Sequence, residues 1–313
     1  MKQQITMKKV KAPTIKEAWE MFIRKCTVRN LSELTLKTYN NHYSILCEFI
    51  PNETLVSEIT SDTVDDFVLF IREHNNINDV TVNSYLRTIR VFLYYCMDCK
   101  YMDTFKIKMT KVEKKIKETY TSEELERLLS KPNINSCSFA EYKTWVFENY
   151  LLGTGNRLSS ALSVQIKDIN FDDNVIIMRK AKNRRQQILP LSNTLADILK
   201  EYLEIRGNNP EDYLFCNNYG EQGKRCTYQQ LVRDYNIKHN VNKTSCHLFR
   251  HTFAKQWILA GGDIFRLQKI LGHSDLTVTK EYVNMFGADL QLDYEKFNPL
   301  DQMHQKPTHI SMR

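Results

Sequence analysis

The sequence predicts a mainly α-helical chain with one small β-sheet, an α+β protein in two domains. Three observations predict it. Apolar residues recur at three- and four-residue spacing through most of the chain. Period-two alternation is confined to one stretch, residues 168–191. A length of 313 residues sits at the upper limit for a single core and accommodates two compact domains.

The elements follow in order. Thr14-Ile-Lys-Glu17 reads as a capping box, and Ile15, Trp19, Phe22, Ile23 and Cys26 then repeat at helical spacing. Three more amphipathic helices are predicted over Glu33 to Ile50, Ser61 to His74 and Asp79 to Cys99, so the first hundred residues are all-helical. Between Asp103 and Glu118 the pattern dissolves into alternating lysines with little to bury, as expected of a linker able to lie along phosphate. A second capping box, Thr121-Ser-Glu-Glu124, opens the next helix, and Tyr142 to Gly153 continues helically up to the turn Gly153-Thr-Gly155. Three short β-like runs, Asp168 to Phe171, Val175 to Arg179 and Gln187 to Leu191, predict a three-stranded meander. Helices return after Asn193: one closed by Gly207, then Tyr228 to Lys238, His247 to Ala260, Asp263 to Leu271, and a last one through Thr279 to Phe286.

Composition narrows the function classes. Hydrophobic residues at 42% and charged residues at 26% fit an ordinary globular protein, neither disordered nor membrane-spanning. The basic, polar N-terminus carries no signal-peptide pattern, and a cytoplasmic location is expected. The eight cysteines are scattered among apolar neighbours, which predicts free thiols, and Cys96-x-x-Cys99 lacks a second ligand pair, so no metal is implied. A net charge of +7 mildly favours an acidic partner. Lysine and arginine cluster at Lys106 to Lys117 and again at Arg179 to Arg185.

Cutting DNA without a metal requires a nucleophile, cations for the non-bridging phosphate oxygens, and an acid for the leaving 5′ oxygen. His247-Leu-Phe-Arg250 sets an imidazole and a guanidinium one helical turn apart. Leu271-Gly272-His273 presents a histidine from a helix end, and Tyr282 follows it. Taken singly, each of these residues has an ordinary packing or surface explanation. Their order and spacing carry the signal.

That series, His247-Leu-Phe-Arg250-His251-Thr-Phe-Ala, then Leu271-Gly-His273-Ser, then Tyr282, resembles the C-terminal signature of tyrosine recombinases of the phage-integrase type. Upstream, Leu152-Gly-Thr-Gly155-Asn-Arg157 resembles the turn presenting that family's first catalytic arginine, and Ala181-Lys182-Asn183 resembles the hairpin carrying its lysine. The resemblance implies that Arg157 and Arg250 hold the scissile phosphate and that Tyr282 attacks phosphorus. It further implies that Lys182 protonates the leaving oxygen, His247 assists proton transfer with the tyrosine, and His273 donates to a non-bridging oxygen. Ser160 stands where the family usually has an acidic residue, leaving the orientation of Arg157 without its expected support.

The implied domains are an N-terminal tail (1–11), a helical SAM-like core-binding domain (12–105), a basic linker (106–118), a catalytic domain (119–286) and a tail (287–313). Leu290, Leu292, Tyr294 and Phe297 give that tail a short amphipathic segment suited to docking on a neighbouring subunit. Candidate DNA contacts are Arg87, Arg90, Lys106, Lys108, Lys111, Lys114, Lys115, Arg184 and Arg185. The implied function is site-specific recombination or integration through a 3′-phosphotyrosine and a Holliday junction, serving a mobile element or chromosome and plasmid maintenance. No cofactor is implied. The expected partners are double-stranded DNA with paired recombination sites and, on DNA, three further copies in a homotetramer, the free protein being a monomer. A type IB topoisomerase and a catalytically silent DNA-binding protein are the alternative readings. The intact residue set speaks against the silent protein, and the long tail favours a recombinase.

Overall fold

A computed structural model of the chain describes residues 12–75, 77–112, 117–179, 187–273 and 275–286. Lys114, Lys115, Lys182, Arg184, Arg185 and the two tails lie outside the described residues. The chain divides into two compact units, Met1–Lys115 and Ile116–Arg313.

The first unit is built on α1 (Ile15–Val28), α2 (Glu33–Phe49), α3 (Ser61–Asn75) and α4 (Asp79–Asp98). The predicted capping box is present at α1: Glu17 N–H donates to Thr14 Oγ1 at 3.2 Å, and Thr14 N–H donates to Glu17 Oε2 at 2.9 Å. Ser32 and Asn78 cap α2 and α4 through their side chains alone, each accepting from the backbone N–H three residues on, and losing such a cap typically costs about 1 kcal/mol. The inward stripe of α1, Ile15, Ala18, Trp19, Phe22 and Cys26, meets Leu46, Leu86, Ile89 and Phe92 in one apolar cluster. Trp19 stacks on Tyr43 with centroids 4.4 Å apart, while its Nε1 donates to Asn40 Oδ1 at 3.1 Å. Its apolar body and polar edge are thus both satisfied.

The lysine-rich stretch departs from expectation. Ile107 is only 5% exposed and belongs to this first core. Asn83 straps Thr110 down through both amide atoms, Nδ2 donating to the Thr110 carbonyl at 2.8 Å and Oδ1 accepting from the Thr110 N–H at 3.0 Å. One buried isoleucine among exposed lysines does not register as periodicity, so the sequence hid it. Lys106, Lys108 and Lys111 remain exposed.

In the second unit α5 (Ser122–Leu129) carries the other predicted capping box. The central helix is α6 (Phe139–Thr154), packed against α8 (Asn193–Arg206), α9 (Arg225–Lys238) and α10 (Cys246–Leu259). Being covered on several sides, α6 is apolar almost all round and lacks the one-sided stripe of a surface helix. It begins at Phe139 because Ser138 caps it, three residues before the expected start at Tyr142. It ends at Gly155, which is left-handed (φ 61°), and a Cβ there would come within 2.6 Å of the Phe253 ring. Glycine alone fits.

Arg157 then caps α7 (Leu158–Ala161), a single turn too short to leave a periodic trace. The predicted meander is present as β1 (Ile169–Asn170), β2 (Val175–Met178) and β3 (Gln187–Pro190), antiparallel and in chain order. Ile176 pairs with Ile169 and Leu189 on the buried face, whereas Ile188 is exposed. Finally α11 (Ile264–Leu271) stops at left-handed Gly272, and α12 (Leu276–Phe286) starts three residues earlier than its apolar pattern suggested. All eight cysteines are free thiols. Fold class and element order are thus as the sequence predicts.

Candidate active site

The site is assembled at the C-terminal end of α11. The last carbonyls of a helix have no intrahelical donor and carry partial negative charge. Here side chains from three distant segments satisfy them. The Leu271 carbonyl accepts from Arg250 Nη2 at 2.8 Å and from Arg157 Nη1 at 3.3 Å. Gln187, the first residue of β3, donates through Nε2 to the Ile270 carbonyl at 2.9 Å and also to that of Lys269. The second guanidinium edge of Arg250 reaches the Gly155 carbonyl at 2.9 Å.

Both arginines are therefore held by carbonyl dipoles. Among the described residues neither has a carboxylate within ion-pairing distance. Arg250 is 2% exposed, and burial together with the nearby Arg157 pushes its pKa down to about 10, still cationic at neutral pH. Burial lowers Arg157 as well. The described contact of the Arg157 guanidinium is with the carbonyl at the end of α11. Elsewhere in the basic cluster, Arg179 is paired with the buried carboxylate of Asp168.

His273 lies just past α11. Its Nε2 accepts from Arg250 at 2.6 Å, and its Nδ1–H donates to Thr279 Oγ1 at 2.9 Å. Arginine can only donate, which fixes this tautomer. Burial, then the charges of Arg250 and Arg157, press the imidazole pKa down to about 3, so the ring is neutral. For His273 to donate to a phosphate, Nε2 has to release Arg250 and acquire a proton.

Tyr282 sits on α12 with 2% of its surface exposed, in a small cluster with Ala254, Leu267 and Leu271. Its hydroxyl lies 2.6 Å from His251 Nδ1. The Lys117 ammonium stands 4.5 Å from the ring centroid and pairs with Glu281 at 3.0 Å. Burial raises the phenol pKa, and Arg250 and Arg157 partly offset that rise.

The six residues singled out in the sequence thus meet different fates. Arg157, Arg250, His273 and Tyr282 converge around Leu271. His247 is exposed, its ring edge-on to that of His251 at 4.6 Å. Lys182 is outside the described residues. Three neighbours were missed. His251 stands four residues after His247, on the same helical face, so helical spacing could have found it. Gln187 was legible only as a strand residue and Lys117 only as a linker lysine, because their contacts join residues 83 and 164 positions apart. In the first unit Arg87 is exposed and Arg90 half-buried on α4.

Residues 118–287 match the phage integrase family, and residues 14–117 match the phage integrase SAM-like domain. The chain belongs to the phage integrase family. It is a tyrosine-type site-specific recombinase. A tyrosine recombinase of Pseudothermotoga lettingae is 25% identical over 287 residues, covering 89% of this chain and 95% of that one. The tyrosine recombinase XerD of Staphylococcus haemolyticus is 27% identical over 228 residues, 70% of this chain and 76% of that one. Among solved structures, the Tn1549 transposon integrase in complex with a circular intermediate DNA superposes with a TM-score of 0.73 at 21% identity, covering 87% of this chain and 95% of that one. A lambda integrase dimer bound to a COC′ core site gives 0.70 at 14% identity, over 89% of this chain and 79% of that one. These two likenesses bear on the fold of the recombinase. Among its described residues no helix is long and apolar enough to cross a membrane.

Proposed function

We propose that this recombinase cuts and rejoins double-stranded DNA at paired sites through a 3′-phosphotyrosine at Tyr282, passing through a Holliday junction. One observation carries the reading. Two guanidiniums, one of them buried, converge on the Leu271 carbonyl within electrostatic reach of Tyr282 and have no carboxylate partner among the described residues. A buried cation without a counter-ion is costly, and a phosphodiester supplies the missing charge. That two of the solved relatives hold DNA supports the choice of ligand.

In this reading Arg157 and Arg250 offset the charge that develops on the phosphate oxygens, and Tyr282 Oη attacks phosphorus. Lys182 protonates the leaving 5′ oxygen. His247, exposed beside His251, assists proton transfer, and His273 donates to a non-bridging oxygen after releasing Arg250. The 5′-hydroxyl of a partner strand then reverses the sequence. Residues 12–105 form the core-binding domain and 119–286 the catalytic domain. Arg87, Arg90 and the lysines of the 106–118 linker contact the DNA backbone, together with Arg184 and Arg185. Four copies assemble on DNA, the 287–313 tail docking on a neighbour, and the enzyme works in the cytoplasm for a mobile element or for chromosome and plasmid maintenance.

The test is Tyr282→Phe on a nicked suicide substrate. DNA binding should persist while the covalent adduct disappears. A protease-sensitive adduct formed by the Phe variant overturns the assignment of the nucleophile.

A further inference from the structure

We propose that His251 takes the phenolic proton of Tyr282 as the strand is cut and returns it on rejoining, a role that rests on Tyr282 being the nucleophile. Geometry carries this. Arg250, whose charge bears on the Tyr282 hydroxyl, has no acceptor atom, so the phenolic hydrogen must be accepted by another group. An acceptor within reach is His251 Nδ1, 2.6 Å away. His247, the histidine that the sequence resemblance associates with this proton, is exposed and stands behind His251, with the two rings 4.6 Å apart.

The electrostatics suit a proton that moves during attack rather than before it. Burial, and then His247, Lys117 and Arg250, push the His251 pKa down to about 4, so its nitrogen is unprotonated at neutral pH. Burial raises the phenol in turn. The resting pair therefore stays neutral, and no free phenolate forms without a phosphate. As Tyr282 Oη bonds to phosphorus its acidity climbs, and the proton passes to Nδ1 while the bond from phosphorus to the 5′ oxygen breaks. That oxygen takes its proton from the acid that Lys182 supplies. The incoming phosphate adds negative charge beside Lys117 and Arg250, which makes an imidazolium at position 251 easier to hold. On rejoining, His251 protonates the departing tyrosine.

The experiment measures single-turnover adduct formation on the suicide substrate at saturating protein, so that altered affinity does not enter the rate. His251→Asn and His251→Gln retain hydrogen-bonding amides but cannot take a proton. Each should slow the reaction on the order of 100-fold, the lower range for a general base. A fluorinated tyrosine with a more acidic phenol, introduced at position 282 alone, should recover about tenfold or more of that deficit. A deficit unchanged by fluorination overturns the proposal, since a residue that merely positions the ring is indifferent to phenol acidity. Wild-type rates in both amide variants overturn it as well. Tyr282→Phe runs alongside: an adduct from that variant removes the nucleophile assignment itself, whereas its silence beside a fast His251→Asn removes only the role of His251.

Discussion

In the first unit the buried polar side chains among the described residues are Asn83 and Thr88, each closed by one local partnership, Asn83 with Thr110 and Thr88 with His42. The second unit buries Glu148, Asp168, Asn236, Arg250 and His273 among others. The first keeps its cations outside, with Arg87, Lys106, Lys108 and Lys111 exposed, while the second draws Arg250 to 2% exposure. The difference teaches that one chain can hold cations in two distinct electrostatic settings. Exposed cations act through a screened, sequence-tolerant field. A buried guanidinium acts at one point in a low dielectric, which chemistry at a single phosphorus requires.

The largest expected effect probes the dry core. Phe92 is fully buried between Trp19 and Phe22, with ring centroids 5.1 and 5.7 Å away. Phe92→Ala should cost about 3–5 kcal/mol in urea denaturation. A destabilisation below about 1 kcal/mol means that this core is not tightly packed and that the two units differ less than their burial patterns indicate.

Next comes Glu148, whose two carboxyl oxygens are buried and have no hydrogen-bond partner among the described residues. Burial raises its pKa well above the usual carboxylate value, so the folded protein holds a proton that the unfolded chain releases above about pH 4.5. Its cost therefore grows as pH rises. Glu148→Met should stabilise the second unit by roughly 2 kcal/mol at pH 7 and by less at pH 5. No gain at either pH points to an unseen partner for the carboxyl.

His273 has the opposite pH sense. Its pKa falls from 6.5 unfolded to about 3 folded, so its contribution is complete above pH 6.5 and is lost as pH falls toward 3. Acidifying from pH 7 to 5.5 should remove about 1 kcal/mol of stability through this residue, and His273→Asn should flatten that slope. An identical acid sensitivity in the Asn variant assigns the effect to other groups.

The smallest stability effect sharpens the comparison from the other side. Replacing Lys106, Lys108 and Lys111 together by Gln should alter unfolding by less than about 0.5 kcal/mol. The slope of log affinity for DNA against log salt should nevertheless become shallower, by up to about 0.9 for each phosphate that is no longer neutralised. An unchanged slope makes these lysines solvated surface.

Helices and strands were legible because their signals are local. The Thr14/Glu17 and Thr121/Glu124 capping boxes lie within one turn, and the meander is written in alternation over two dozen residues. Motif order likewise picked out Arg157, Arg250, His273 and Tyr282, which the fold brings together. Tertiary structure decided what each of them touches. Ile107 became core, the Arg157 guanidinium met the carbonyl at the end of α11, and His251 rather than His247 met the tyrosine hydroxyl. Periodicity reports which face of a helix is covered, since that depends on residues three and four apart. It does not report which neighbour covers it, because pairs such as Lys117 with Glu281 join segments whose distance along the chain carries no trace of their meeting.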